Sequence, residues 1–209
     1  MTNTVACSHY VDLIVQPDPE FGSAMLMSAL FAKLHRALVA AAQATHSGSA
    51  GVGVGFPGHD DGVPTLGTHL RLHGSQAALA ALMATPWLRG VRDHLADPAP
   101  PVRPVPDVVA GYRTVRRVQV DSNPERLRRR WLRRHPGMDD TAALQHIPDT
   151  LGQRLPLPFV QLNSLSTGQA FRLFVAHGPL QPQADAVENV RPHFNAYGLG
   201  VQGATIPWF

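Results

Sequence analysis

The sequence predicts an α+β protein in two halves, on three observations. Strand-like runs alternate with helix-period segments through the first half. A cluster of prolines then interrupts any regular element. Beyond it, short strands flank a helix rich in arginine. The 209 residues suffice for a buried core without staples, and 44 % apolar against 16 % charged residues is a globular composition.

The elements follow in order. YVDLIVQ at 10–16 reads as a strand and PDP at 17–19 as a turn. Over 23–44, Met27, Leu30, Phe31, Leu34 and Leu38 recur at helical spacing, and HSGS at 46–49 closes that helix. GVGVGF at 51–56 is a short strand of the buried type. THLRLH at 68–73 alternates, with Leu70 and Leu72 on one face. Ser75 caps a second helix running to about residue 85, and a last strand is expected within 91–102. The order β-α-β-β-α-β is the ferredoxin-like pattern, also used by RNA-recognition modules. DPAPPVRPVPD at 97–107 holds five prolines in eleven residues. It is expected to be extended and outside any regular element, dividing a domain at 1–105 from one at 106–209.

In the second half, YRTVRRVQV at 112–120 reads as a strand. SNPE at 122–125 is a helix start, with a capping residue, a first-turn proline and an acid. Pro136-Gly137 ends that helix near residue 135, and TAALQH at 141–146 continues as a short helix. Strands at 159–163 and 170–175 pair around the loop SLSTGQ. A mobile loop is expected over 178–192, a short strand near Tyr197, and an apolar tail at 206–209.

Composition excludes several classes. Cys7 is the sole cysteine, so no internal disulfide forms and a reducing cytoplasm is expected. No signal peptide is visible, and no apolar run approaches the roughly 18–20 residues of a membrane span. Neither GxSxG nor a Walker loop occurs, no Cys/His set has zinc spacing, and the acids do not pair as metal ligands. Neither metal nor cofactor is expected.

The charge is unevenly distributed. Net charge is +3, yet the 18 basic residues are Lys33 and 17 arginines, and nine of those lie within 113–134 beside two acids, Asp121 and Glu125. Arginine's planar fork suits phosphate and guanine. On a helix, Arg126, Arg129, Arg130, Arg133 and Arg134 fall within an arc of about 140°. Leu127, Trp131 and Leu132 lie opposite, with Arg128 among them. No acid interleaves from 126 to 134, as a helix stabilised by its own ion pairs would require. This is the footprint of a polyanion site, and in the deep groove of A-form RNA such a helix grips phosphate and shape. Arg117 and Gln119, two apart on a strand, share a face and are suited to guanine and adenine edges. From the residues alone, His35 is a half-buried helix histidine and the Ser164 loop a hairpin turn.

The strings PDPEF, LMSALFAKLHRALV, RVQVDSNPERLRRRWLRRH, HIPDT, STGQAFRLFVAHGPLQ, YGLG and PWF occur in that order between residues 10 and 209. This set resembles the type I-F CRISPR-associated endoribonuclease family, the repeat-hairpin ribonucleases that process precursor CRISPR RNA. The resemblance implies a ferredoxin-like domain and a carboxy-terminal domain whose arginine-rich helix lies in the major groove of the repeat hairpin. It implies metal-independent cleavage at the 3′ base of the stem by the RNA's own 2′-hydroxyl, leaving 5′-hydroxyl and 2′,3′-cyclic phosphate ends. It further implies that the enzyme stays on its product and joins the surveillance complex. By motif, His35 is the implied general base or proton shuttle. Ser164 is implied to hold the attacking hydroxyl, with Ser166 in the same loop, and Tyr197 to orient the histidine. Arg117 and Gln119 fall on the base-reading pair and Phe171 on the aromatic that stacks on the terminal base pair. Arg129, Arg130, Arg133 and Arg134 fall on the groove-binding arginines, with Arg126 on the same face and His135 following. Three features depart from the pattern: an extension at 1–8, longer loops at 41–51 and 182–192, and Ala170 in place of a larger polar residue.

Two other readings share the arginine helix. A non-cleaving hairpin-binding subunit would not need His35 and Ser164. A DNA-binding regulator would be indifferent to the 2′-hydroxyl.

Overall fold

The computed structural model describes residues 7–46, 48–119, 124–148, 155–164, 168–182 and 193–209; for 124–126 it describes the backbone alone. The chain is α+β, with helices packed on antiparallel sheets. The first sheet has the order β2-β3-β1-β4, formed by β1 (His9–Ile14), β2 (Gly53–Gly55), β3 (His69–Gly74) and β4 (Arg103–Pro104). Every neighbouring pair is antiparallel. This is the ferredoxin-like strand order, with the last strand cut to two residues. Register explains the core: Val11 faces Leu72 and Leu13 faces Leu70, and all four are buried.

Two helices accompany this sheet. Helix α1 (Ser23–Thr45) buries Leu26, Met27, Leu30, Phe31, Leu34 and Leu38, the stripe its spacing predicts. It ends at His46, whose left-handed backbone (φ 53°) lets its N–H reach the carbonyls of Ala42 and Gln43. By length and composition α1 would suffice to cross a membrane, contrary to the sequence expectation. Its buried stripe makes it a core helix here. Helix α2 (Gln76–Met83) is capped as expected, the Ser75 hydroxyl accepting from the Ala78 N–H.

The strand expected within 91–102 is not there. Arg92–His94 is a 3₁₀ turn, and Leu95 makes only an isolated bridge to Val15. The pairing with β1 comes later, at Arg103–Pro104, inside the proline-rich run that was expected to hold no regular element. Proline is tolerated there because β4 is an edge strand and needs no ladder N–H on its outer side.

The second sheet has the order β10-β5-β7-β6, from β5 (Gly111–Val118), β6 (Phe159–Asn163), β7 (Ala170–His177) and β10 (Thr205–Trp208). The apolar tail is thus a strand paired with β5. Residues 178–182 are held to β5: Gly178 N–H donates to Thr114 O, and Tyr112 and Gln181 exchange both backbone hydrogen bonds. That corrects the expected loop over its first residues; 183–192 lie outside the described residues. Between β5 and β6 lie α3 (Pro124–Arg134) and α4 (Asp140–His146), the latter capped by Asp139. The expected cap at Ser122 also lies outside the described residues.

The halves share one core. Helix α1 packs along β6, and Gln161 N–H donates to the Ser28 hydroxyl. Val115, Val160, Leu162, Leu173, Val175 and Ile206 belong to the same buried cluster as Leu30 and Leu72. Strand β2 is glycine at 53 because a Cβ there would lie 2.6 Å from Phe194 and 2.9 Å from Ile206. Arg71 fastens the last residue to the first sheet: its Nε and Nη2 donate to the Asp12 carboxylate, its Nη1 to Phe209 O at 2.7 Å. Burial alone would raise the Asp12 pKa, but hydrogen bonds from His69 and Arg71 outweigh it and lower it to about 2.

Candidate active site

The site forms where the turn joining β8 (His193–Phe194) to β9 (Gly200–Val201) meets α1 and β5. The expected strand near Tyr197 is this turn. Gly198 has φ 73°, a conformation that disfavours other residues. Its carbonyl accepts from Val54 N–H at 2.9 Å. A Cβ at Gly198 would lie 2.8 Å from Val54 Cγ1 and 3.3 Å from Leu38 Cδ1. The turn is therefore pressed against β2 and α1, and its exposed end covers His35.

Three predicted residues meet there. The His35 ring stacks on Tyr197, with centroids 4.2 Å apart and planes 18° apart. His35 Nδ1 lies 2.8 Å from the carbonyl oxygen of Ala196. A carbonyl only accepts, so Nδ1 carries the proton and Nε2 of the neutral ring offers a lone pair. The Arg117 guanidinium stands 5.6 Å from the Tyr197 ring centre. Arg117 faces the α1 side because, two residues on, it shares the face of buried Val115 and pairs with buried Val175. A cation, an aromatic ring and an imidazole thus share one half-buried corner. That arrangement can hold a phosphate and exchange a proton beside it.

The other described residues of the predicted site lie on or just beyond β5, β6 and β7. Ser164 follows β6, three residues beyond the Gln161 contact with α1, and is half-buried. Its N–H donates to Gln169 O and its carbonyl accepts from Gly168 N–H, so the loop closes on itself at Ser164. Ser166 lies outside the described residues. Phe171, opposite Leu162 in β7, is half-buried and packs against the core cluster. Gln119 is exposed just past the end of β5.

Helix α3 divides as its spacing predicts. Leu127, Arg128, Trp131 and Leu132 are half-buried, while Arg129, Arg130, Arg133 and Arg134 are exposed. The Arg126 side chain is outside the described residues. Trp131 anchors the helix, stacked between His135 (4.4 Å) and His146 of α4 (5.2 Å). His135 Nδ1 bonds Trp131 O at 2.9 Å, which fixes its ring against the helix. Strand β5 thus carries Arg117 into the corner and leads towards the arginine face.

A second histidine group was not foreseen. His59, Asp61 and His177 bring ligand-capable atoms within 4.8 Å of one another. The two rings stack at 3.6 Å with planes 21° apart, so their lone pairs run side by side and do not converge. Arg113 Nη1 already lies 3.1 Å from His59 Nε2. Burial, with the nearby His59 and Arg113, lowers the His177 pKa to about 3. This is a packed pair of rings beside a cation, poorly shaped to hold a metal ion.

Comparison with known proteins decides the family. A family model described as CRISPR-associated protein (Cas_Csy4) matches residues 10–209. The chain belongs to that family. It is 50 % identical over 201 residues, covering 96 % of this chain and 99 % of the relative, to the CRISPR-associated endonuclease Cas6/Csy4 of Pseudomonas aeruginosa (strain UCBPP-PA14). It is 45 % identical over 201 residues, with the same coverage, to the CRISPR-associated endonuclease Cas6/Csy4 of Escherichia coli (strain UTI89 / UPEC). In this Cas_Csy4 chain the sequence reading missed two contributors to the corner, the Ala196 carbonyl and Asn195. The signal for them was present: Asn-x-x-Gly at 195–198 is turn chemistry. The Ser28 hydroxyl on the edge of β6 carried no such signal.

Proposed function

We propose that this chain is a metal-independent endoribonuclease that cuts precursor CRISPR RNA at the 3′ base of the repeat hairpin. The attacking group is the RNA's own 2′-hydroxyl. Its oxygen bonds the adjacent phosphorus, the bond from phosphorus to the 5′ oxygen breaks, and the products are a 2′,3′-cyclic phosphate and a 5′-hydroxyl. The observation that carries this reading is the His35 ring, fixed by the Ala196 carbonyl with Nε2 left to take a proton. Acting as base or shuttle, that nitrogen accepts from the 2′-hydroxyl or relays to the departing oxygen. Ser164 holds the 2′-hydroxyl, Tyr197 orients His35, and Arg117 neutralises charge growing on the phosphate. Because RNA brings its own nucleophile, this route assigns no step to a metal.

Binding is assigned to the second half, 106–209, and the histidine to the first, 1–105. The exposed arginines Arg129, Arg130, Arg133 and Arg134, with Arg126 and His135, grip the phosphates of the stem. Arg117 and Gln119 read bases at its foot, Phe171 stacks on the terminal pair, and Ser166 assists in its loop. The product stays bound, and the protein then joins the cytoplasmic surveillance complex.

The test is a labelled hairpin carrying the host's repeat, in EDTA, beside one with a single 2′-deoxy sugar at the stem base. The reading requires that the ribose substrate be cut and the deoxy substrate only bound, and that His35→Ala bind without cutting. Tight binding of both with no cleavage would make the chain a hairpin-binding subunit. Equal binding of duplex DNA would favour a regulator.

A further inference from the structure

We propose that Asn195 is a positioning residue for cleavage, building the turn that selects the His35 tautomer. This rests on the reading of His35 as the proton-transfer residue. Four hydrogen bonds close the turn through Asn195. Its Oδ1 accepts from Tyr197 N–H at 2.8 Å and Leu199 N–H at 3.1 Å. Its own carbonyl accepts from Gly198 N–H, and its own N–H donates to Leu199 O, both at 2.9 Å. The carboxamide thus does for the backbone what a further strand would do.

The residue between these bonds supplies the contact that matters. Ala196 has its carbonyl 2.8 Å from His35 Nδ1, and Tyr197 lays its ring on the imidazole. Ala196 has no side chain able to hold its own carbonyl in place, so the direction of that oxygen is set by its neighbours. On one side it is set by Asn195 and on the other by Gly198, whose carbonyl is tied to Val54 N–H. Without the carboxamide, the N–H groups of Tyr197 and Leu199 lose their partner and turn elsewhere for one. The carbonyl then loses its aim, and the proton is free to sit on either ring nitrogen. In the Nε2–H form His35 cannot accept a proton at the nitrogen left facing outward.

The Asn195 carboxamide oxygen is engaged by the N–H groups of its own turn, so its expected effect is on rate and not on binding. The experiment measures single-turnover cleavage, hairpin affinity and long-range ¹H–¹⁵N imidazole spectra. It uses wild type, Asn195→Ala, Asn195→Asp and His35→Ala, with a deoxy hairpin as the bound ligand. Wild-type His35 should show the Nδ1–H form. Asn195→Ala should cut with a rate constant roughly 10- to 100-fold lower, part of the 10²–10⁴-fold that positioned proton transfer supplies. Its affinity should be unchanged and the Nε2–H form should appear. Asn195→Asp keeps the accepting oxygen and should restore most of the rate. Wild-type His35 mainly in the Nε2–H form would overturn the proposal, without any variant having to fold. So would wild-type cleavage by Asn195→Ala, or a loss of rate matched by a loss of affinity. Loss of cleavage in His35→Ala beside full cleavage in Asn195→Ala overturns this proposal alone. Full cleavage by His35→Ala overturns the catalytic reading and the proposal with it.

Discussion

Replacing Arg129, Arg130, Arg133 and Arg134 together with glutamine removes four exposed cations from one helix face. Glutamine has a helix propensity close to that of arginine, and Leu127, Trp131 and Leu132 stay in place, so α3 is retained. Arg133 Nε already donates to Arg129 O at 3.3 Å, which leaves the two terminal nitrogens of its guanidinium to reach a phosphate. With one phosphate contact for each guanidinium, the four substitutions remove four contacts. Each contact contributes roughly 0.7–0.9 to the slope of log affinity against log salt, so the slope should flatten by about 3. Between 50 and 200 mM salt, wild type should then lose roughly 60-fold more affinity than the variant. Fluorescence anisotropy on a labelled repeat hairpin across that salt range measures both slopes. An unchanged slope would refute the reasoning, because it would mean that these guanidiniums do not lie on the phosphate backbone.

Three further outcomes are expected. Gly198→Ala forces a Cβ to 2.8 Å from Val54 Cγ1 at φ 73°, so the melting temperature by calorimetry should fall by roughly 5–15 °C; a fall below about 2 °C would contradict the packing described. Asp12, held at about 2, stabilises the fold by roughly 2 kcal/mol above its ordinary pKa, and this is lost as pH falls from about 4 towards 2. In urea melts, the stability difference between wild type and Asp12→Asn should shrink across that window, and a constant difference would count against it. Trp131→Ala removes the ring stacked between His135 and His146, so α4 amides should exchange faster with solvent while β1 amides do not change; equal protection of α4 would show that the stack does not hold it.

Periodicity carried the reading of α1, α3 and β6, because each turns one face inward and the other outward, whereas β7 buries Leu173, Phe174 and Val175 in succession. It failed at β4, where two edge residues inside a proline run leave no pattern to detect. It failed again at the tail, since TIPW becomes a strand only because β5 offers it a partner. The arginine face was legible in full where the side chains are described, because helical geometry alone separates Arg129, Arg130, Arg133 and Arg134 from Trp131. His35 and Ser164 were different. As residues they looked like an ordinary helix histidine and a hairpin serine, and only motif resemblance singled them out.

The sequence by itself determined which surface is cationic, which helix is the core helix and which family the motifs resemble, since these depend on residues near one another in the chain. Tertiary structure alone decided the state of His35. Its Nδ1 partner lies 161 residues away, on a turn that exists because Asn195 closes it and Gly198 fits under β2. No local pattern encodes such a contact, because the direction of a carbonyl is set by the packing of elements distant in sequence.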